Sequence, residues 1–451
     1  MNPTNPLFLT RRQLFRVASG VAVGVAGLSF AGAEDFPVIT RPRATSGDAG
    51  VEPDWEARFS ITVGPDKADI VGVTDRALQA AVEYVVRRGG GTVKVLPGVY
   101  RLRAPVRLYD HVKLQGSGPD TLLIKEPSVE TALVEDSDWY DQEITLADPS
   151  GFQVGDAVCI RAVNSDTKAP VVIKRILVAR SGNRFKLDRA LRENTWKIGN
   201  ATVATLFPVV TAEEAVDFSV EDICLDGNKD HNANLDGNYA GCVWIQDCSR
   251  VVLRNVIARN YNGDGLSWQV CHEVKVEGCQ SVDNTGLGMH PGSGSQRTVI
   301  RNNVLERNNI GIFFCWGVQY GLAEKNTIRD NRDCGISIGH RDHENLIREN
   351  EILNSGKTGI LFRPERGEGF TATGNRVERN RVVDSGAEDG IAIDIQGVTS
   401  GNTLQGNTLL ETRSPARCIG IRLGPETGDT TLVDNHMEGF AVSVADNRSS
   451  G

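Results

Sequence analysis

A glycine that opens a short apolar run recurs through the second half of the chain. The runs are Gly241-Cys-Val-Trp-Ile-Gln246, Gly265-Leu-Ser-Trp-Gln-Val270, Gly288-Met-His-Pro-Gly-Ser293 and Gly311-Ile-Phe-Phe-Cys-Trp316. They continue with Gly335-Ile-Ser-Ile-Gly-His340, Gly359-Ile-Leu-Phe-Arg-Pro364, Gly390-Ile-Ala-Ile-Asp-Ile395 and Gly420-Ile-Arg-Leu-Gly-Pro425, at intervals of 24, 23, 23, 24, 24, 31 and 30 residues. Self-similarity at such a period is the mark of a solenoid. A unit this short cannot hold a βαβ crossover, which needs about 30 residues or more. The density of Gly and Asn works against helical repeats, because both are weak helix formers. Alternation within each run points to strands. The residue after the glycine and the one two further on are apolar almost throughout, and so face inward. Between them stand Val243, Ser267, His290, Phe313, Ser337, Leu361, Ala392 and Arg422, the expected outward column.

A second strand per repeat ends in asparagine, at Asn255, Asn303, Asn326, Asn350 and Asn375. Another column follows at Asn260, Asn284, Asn308, Asn331, Asn354 and Asn380. Asparagine tolerates left-handed turns, and stacked amides can bond the copies above and below. The pattern is that of an all-β, right-handed parallel β-helix solenoid. Over most of its length the chain resembles the pectate-lyase-like β-helix superfamily of secreted carbohydrate-active proteins. Residues 66–124 read as an N-terminal cap and first coils. Asp75 is placed to cap a helix with apolar Leu78, Ala81, Val82 and Val85, ended by Gly89-Gly90-Gly91 and followed by strand Thr92–Leu96 and the turn Pro97-Gly98. A solenoid must cover its open end, and a helix does so. Residues 125–212 break the period and read as a small inserted β subdomain, with the coils filling 213–441 and a tail over 442–451. Cys224, Cys248 and Cys271, spaced by the repeat, are expected to stack in the core as small hydrophobes.

The N-terminus reads as an export signal. Arg11 and Arg12 precede the apolar, Gly- and Ala-rich stretch Val17–Ala33, which closes on Ala31-Gly32-Ala33. The pair resembles the twin-arginine motif, which implies export in the folded state to the periplasm or the exterior over residues 1–33. An uncleaved anchor is disfavoured because the stretch is shorter than the ~20 apolar residues of a span. Residues 34–65 read as a linker. The chain of 451 residues carries a net charge of -9, and its first 33 residues hold three arginines and no acid. So acidic a body disfavours nucleic acid as a partner. It is expected to work on a polysaccharide, away from any membrane once the signal is removed, with a homo-oligomer left open.

Polar and aromatic residues interrupt the outward columns between 264 and 394. The candidate catalytic residues are Asp264, His290, His340, Arg363, Glu365 and Asp394. The candidate substrate-binding residues are Trp316, Arg341, Asp342, His343, Arg366 and Asp389. His290, beside Pro291-Gly292-Ser293-Gly294, is expected exposed. Asp264 is either a catalytic carboxylate or a turn residue. Arg363 either neutralises a uronate carboxylate or pairs with Asp394 or Glu365. His340, Asp342 and His343 have a spacing that can also ligate zinc, although such sets usually sit on helices. No metal is assigned; a divalent cation such as calcium is left open.

Two mechanisms fit. A lyase needs a base for the proton α to a uronate carboxyl and a cation for the resulting anion, roles open to His340 or His290 with Arg363. A hydrolase needs two carboxylates, for which Glu365 and Asp394 in adjacent coils are the better pair. Asn262-Gly-Asp264-Gly, followed later by Gly335-Ile-Ser-Ile-Gly-His340, is similar to polygalacturonases, but their paired aspartates are absent. Gly335–Asn350 resembles the mannuronan-epimerase coil that bears Asp-Pro-His-Asp; the equivalent positions here are Ser337-Ile338-Gly339-His340. The expected function is cleavage of glycosidic bonds in an acidic or plant or algal polysaccharide. The alternatives are epimerisation, and glycan or surface binding without turnover.

Overall fold

A computed structural model describes residue 37 and residues 52–367, 369–413 and 417–448. The export segment over 1–33 lies outside the described residues. Among the described residues, no helix is long and apolar enough to cross a membrane.

The coils form as the alternating pattern requires. Eleven parallel strands stack into one sheet, from Val106–Arg107 through Val210–Glu213 and Gly241–Gln246 to Val442–Asp446. Each full coil carries two further short strands rather than the one expected. Val299–Arg301 pairs with Leu322–Glu324, and Val304–Glu306 with Thr327–Arg329. Ile312, Ile336, Ile360, Ile393 and Ile421 stack in register inside the solenoid and are buried.

Register corrects two frames. Gly241 pairs with Asp264 rather than Gly265, so Trp244 and not Val243 lies in the outward column next to Ser267. Leu361 pairs with Asp394, so the outward residue of that coil is Asp394, not Ala392. The glycine at 390 belongs to the preceding turn. The column reads Thr211, Trp244, Ser267, His290, Phe313, Ser337, Leu361, Asp394 and Arg422.

Buried asparagine amides form ladders. Asn303 donates to Asn326, Asn326 to Asn350, Asn350 to Asn380, and Asn380 to Asn407, at 2.8–3.0 Å. A second ladder runs from Asn345 to Asn375 to Asn402. Asn350 and Asn375 therefore belong to different ladders. Asn255, Asn260 and Asn354 bond aspartates of the preceding coil instead.

Helix Asp75–Val86 covers the first coil and buries Leu78, Ala81, Val82 and Val85, as its amphipathic pattern requires. Thr74, not Asp75, holds the N-cap position, and Asp75 accepts the Arg103 amide at 3.1 Å. Three boundaries move. Strand Phe59–Gly64 pairs with Gly91–Val95, so the linker ends before it. Val442–Asp446 is a coil strand rather than tail. The insertion is a six-stranded sheet between Glu130 and Ala204, with its own core of Leu133, Ile144, Phe152, Ile160, Phe185 and Val203, and the solenoid resumes at Val210. The nine cysteines are free thiols. Cys248 and Cys271 sit together in the core, whereas Cys224 lies beside Ile257 in another sheet.

Candidate functional site

Ser267 and His290 are neighbours in the outward column, and the strand carrying Ser267 begins at Asp264. Its register brings the Asp264 carboxylate to the His290 ring. His290 Nδ1 lies 2.8 Å from Asp264 Oδ2. Nδ1 is placed to donate to that carboxylate, which leaves Nε2 as the ring nitrogen able to accept. Asp264 Oδ1 accepts the Leu287 amide at 2.8 Å, which fixes the carboxylate. Both side chains are only 4% exposed. The expectation of an exposed His290 is corrected, because strand pairing carries the Pro291-Gly292 segment into the sheet, and of the two readings of Asp264 the turn is not found, since that residue opens a strand. His290 Nε2 is buried without a hydrogen-bond partner. Gly237 and Gly286, which the sequence reading passed over, make room for the carboxylate. A Cβ at either would lie 1.6 or 2.4 Å from an Asp264 oxygen.

Above the dyad in the column, the Phe313 ring meets His290 edge-on at 5.7 Å. The Arg363 guanidinium stands 4.2 Å over Phe313. It donates to Ser337 Oγ at 2.9 Å, to the Phe314 carbonyl at 2.9 Å and to Glu365 at 3.3 Å, and approaches Asp342 at 3.5 Å. The expected ion pair of Arg363 with Glu365 is formed, and the guanidinium holds the wall together.

Glu365 also accepts the His340 amide at 2.9 Å. His340 is stacked on Trp316 at 4.8 Å and packs against Phe370 at 5.1 Å. Burial holds its pKa below the ordinary value. Trp316 is 52% exposed and has Arg366 over its ring at 5.5 Å; Arg341 covers Phe370 at 4.5 Å. The rim is thus aromatic and cationic. Phe370 and Phe313 were not predicted as site residues; Phe313 stood in the expected outward column with no polar group to mark it, and Phe370 lies outside the repeat.

Several expected partnerships are absent. Asp394 pairs bidentately with Arg422, at 2.9 and 2.6 Å, so each carboxylate of the expected acid–base pair is held by its own arginine, Asp394 by Arg422 and Glu365 by Arg363. Arg422→Ala leaves the buried Asp394 carboxylate without its cation. With Arg422 one-third exposed, the expected loss is about 1–2 kcal/mol, read from the denaturation midpoint. Asp389 is exposed in the turn that ends at Gly390. The zinc arrangement also does not form. Asp342 is fully buried and accepts the amides of Gly317, Val318 and Gly339 at 2.8–2.9 Å, while His343 Nδ1 accepts the Thr373 amide. Among the described residues, no group of three or more His, Cys, Asp or Glu side chains is placed to hold a metal.

Burial pushes the Asp342 carboxyl up to about 6, although Arg363 and the three amides pull it down. Its folded value lies above the unfolded one, so folding takes up a proton. That contribution is complete below about pH 4 and is lost as pH rises through about 6. It is worth at most ~3 kcal/mol. Between pH 4 and 7 the thermal midpoint of Asp342→Asn should rise relative to that of the wild type, because the Asn side chain cannot ionise.

The right-handed β-helix region family matches residues 241–409 and 311–450. The A-module of the mannuronan C-5 epimerase AlgE4 of Azotobacter vinelandii is similar in structure. Its TM-score is 0.53 at 15% identity, over 86% of this chain and 100% of that one. PfbA, a surface adhesin of Streptococcus pneumoniae, is similar at a TM-score of 0.50 and 10% identity, over 85% of this chain and 93% of that one. No curated protein matches by sequence. An enzyme and an adhesin share this fold, so function must be argued from the site.

Proposed function

We propose, on the premise that the chain belongs to the right-handed parallel β-helix superfamily, that it cleaves an acidic polysaccharide by β-elimination with His290 as the base. The observation that carries this reading is the buried, unpartnered Nε2 of a histidine whose Nδ1–H is held by Asp264. Such a ring is fixed in the tautomer that accepts a proton. In the proposed step, the substrate first uncovers Nε2, which is buried in the free protein, and Nε2 then takes the proton α to the uronate carboxyl. The C–H electron pair forms the new C=C bond, the bond from the β carbon to the glycosidic oxygen breaks, that oxygen takes a proton from water as it leaves, and Nε2–H later returns its proton to the resulting hydroxide. The field of Arg363 stabilises charge that develops beside Phe313. Trp316, Arg341, Arg366 and His340 form a rim suited to stacking and charge-pairing with a uronate ring. Hydrolysis is less well supported, because Glu365 is engaged by Arg363 and Asp394 by Arg422.

Export by the Arg11-Arg12 signal is part of this proposal, and fractionation of expressing cells tests it. The function is tested by incubating the protein with uronate-containing and neutral polysaccharides. Ultraviolet absorbance of an unsaturated bond, together with new reducing ends, is the expected result. Reducing ends alone would indicate hydrolysis and overturn the elimination. Retention on an acidic glycan with neither signal would indicate a binding protein.

A further inference from the structure

The inserted subdomain carries two aromatic side chains held out into solvent. Trp139 is 53% and Tyr140 59% exposed, with ring centroids 5.6 Å apart at 81°. The backbone that carries them and the Tyr140 ring are held in place. The Trp139 amide donates to Asn194 Oδ1 at 2.9 Å, and its carbonyl accepts the Arg192 amide at 2.6 Å. The Tyr140 hydroxyl donates to Asp138 Oδ2 at 2.8 Å. Asp138 Oδ1 accepts Trp196 Nε1 at 2.9 Å, and Asp141 Oδ2 accepts the Asp138 amide at 2.7 Å. These bonds tie the segment down while leaving both rings uncovered.

An exposed aromatic pair in a polar frame suits one ligand chemistry. A pyranose presents an apolar face of polarised C–H bonds, which the negative face of an aromatic ring attracts. Its hydroxyls can meet the carboxylates and amide at the ring edges. Asp138 is held ionised, its pKa lowered by the hydrogen bonds from Trp196 and Tyr140. Asp136, Asp141 and Glu193 lie in the same segments, where six carboxylates over 135–143 and 189–197 outnumber the three cations Arg189, Arg192 and Lys197. This acidic frame repels a uronate, so the ligand is uncharged. Two rings hemmed by carboxylates also fall well short of the roughly 800 Å² per partner of a stable protein interface.

We propose that the Trp139–Tyr140 platform is a second carbohydrate site, for neutral pyranose chains, that acts independently of the chemistry at His290. Native electrophoresis of the full chain in gels containing laminarin, xyloglucan, galactomannan or polygalacturonate tests it. The wild type should be retarded in at least one neutral gel. W139A/Y140A should bind that glycan at least tenfold more weakly, with an unchanged thermal midpoint, because both rings are exposed. Tyr140→Phe, which keeps the ring, should retain most of the retardation. His290→Asn should be retarded like the wild type, so failure here and failure of the elimination are read separately. No retardation in any neutral gel, retardation unchanged in W139A/Y140A, or retardation confined to polygalacturonate would overturn the proposal. So would loss of self-association in W139A/Y140A without any glycan effect.

Discussion

Replacing His290 by Asn lowers turnover by about 10²–10⁴-fold, the usual contribution of a positioned general base. The amide fills much of the ring's space but has no group that can take a proton where Nε2 stands. The loss falls on turnover rather than on affinity, because the cationic and aromatic rim at Trp316, Arg341 and Arg366 is untouched. Asp264→Asn is the informative companion. Its amide can still accept from the Leu287 amide, but the NH₂ then faces His290 Nδ1 and favours the tautomer protonated on Nε2. The fold survives and the base is lost. A fall in turnover with a shifted pH profile, at an unchanged melting midpoint, separates this positioning role from a purely structural one. Full activity in His290→Asn would sink the mechanism.

Asn326→Ala, in the middle of a ladder, is the substitution with the largest expected effect on stability. Asn326 Oδ1 accepts from both the amide and the side chain of Asn303, and its Nδ2 donates to the Ile300 carbonyl and to Asn350. Truncation leaves several buried polar atoms without partners, at roughly 1–3 kcal/mol each where no substitute is found. The expected loss is about 3–5 kcal/mol, read from urea denaturation. Asn354→Gly is the contrast. Asn354 is exposed, its side chain makes one bond to Asp330, and its φ is +51°, so the control that keeps the left-handed backbone is Asn354→Gly rather than Asn354→Ala, and its loss should stay within about 0.5 kcal/mol. Equal effects at the two positions would show that the ladder does not carry the stability.

The solenoid was legible because its inward columns repeat with the coil, and burial forces them to be apolar. The frame slipped at Gly241 and Gly390, since a glycine can stand at the strand start or in the turn before it, and only pairing decides between them. Asp264 and His290 were each visible as polar breaks in the repeat. Their partnership was not, because they are 26 residues apart and meet through register. Arg422 stood in the outward column but faced Ala392 in the slipped frame, which hid its pairing with Asp394. Trp244 read as core; its ring is instead covered by Lys174 of the insertion, 3.0 Å above it. No periodicity reports a contact between the solenoid and a segment that interrupts it.

The coils are unequal in length. Successive ladder asparagines are 23 or 24 residues apart from Asn303 to Asn350, and 30 apart from Asn350 to Asn380. The additional residues fall between strands Thr358–Phe362 and Arg376–Glu378, in the turn that supplies Arg363, Glu365, Arg366 and Phe370 to the wall of the site. The ladders close across this turn with bonds of ordinary length. Loop closure grows only logarithmically with length, about 0.6 kcal/mol per doubling. Selection can therefore lengthen, shorten or replace this turn while the asparagine spine keeps the coils registered. What the protein recognises and what keeps it folded are drawn from separate parts of the same repeat, and can be inherited or engineered one at a time.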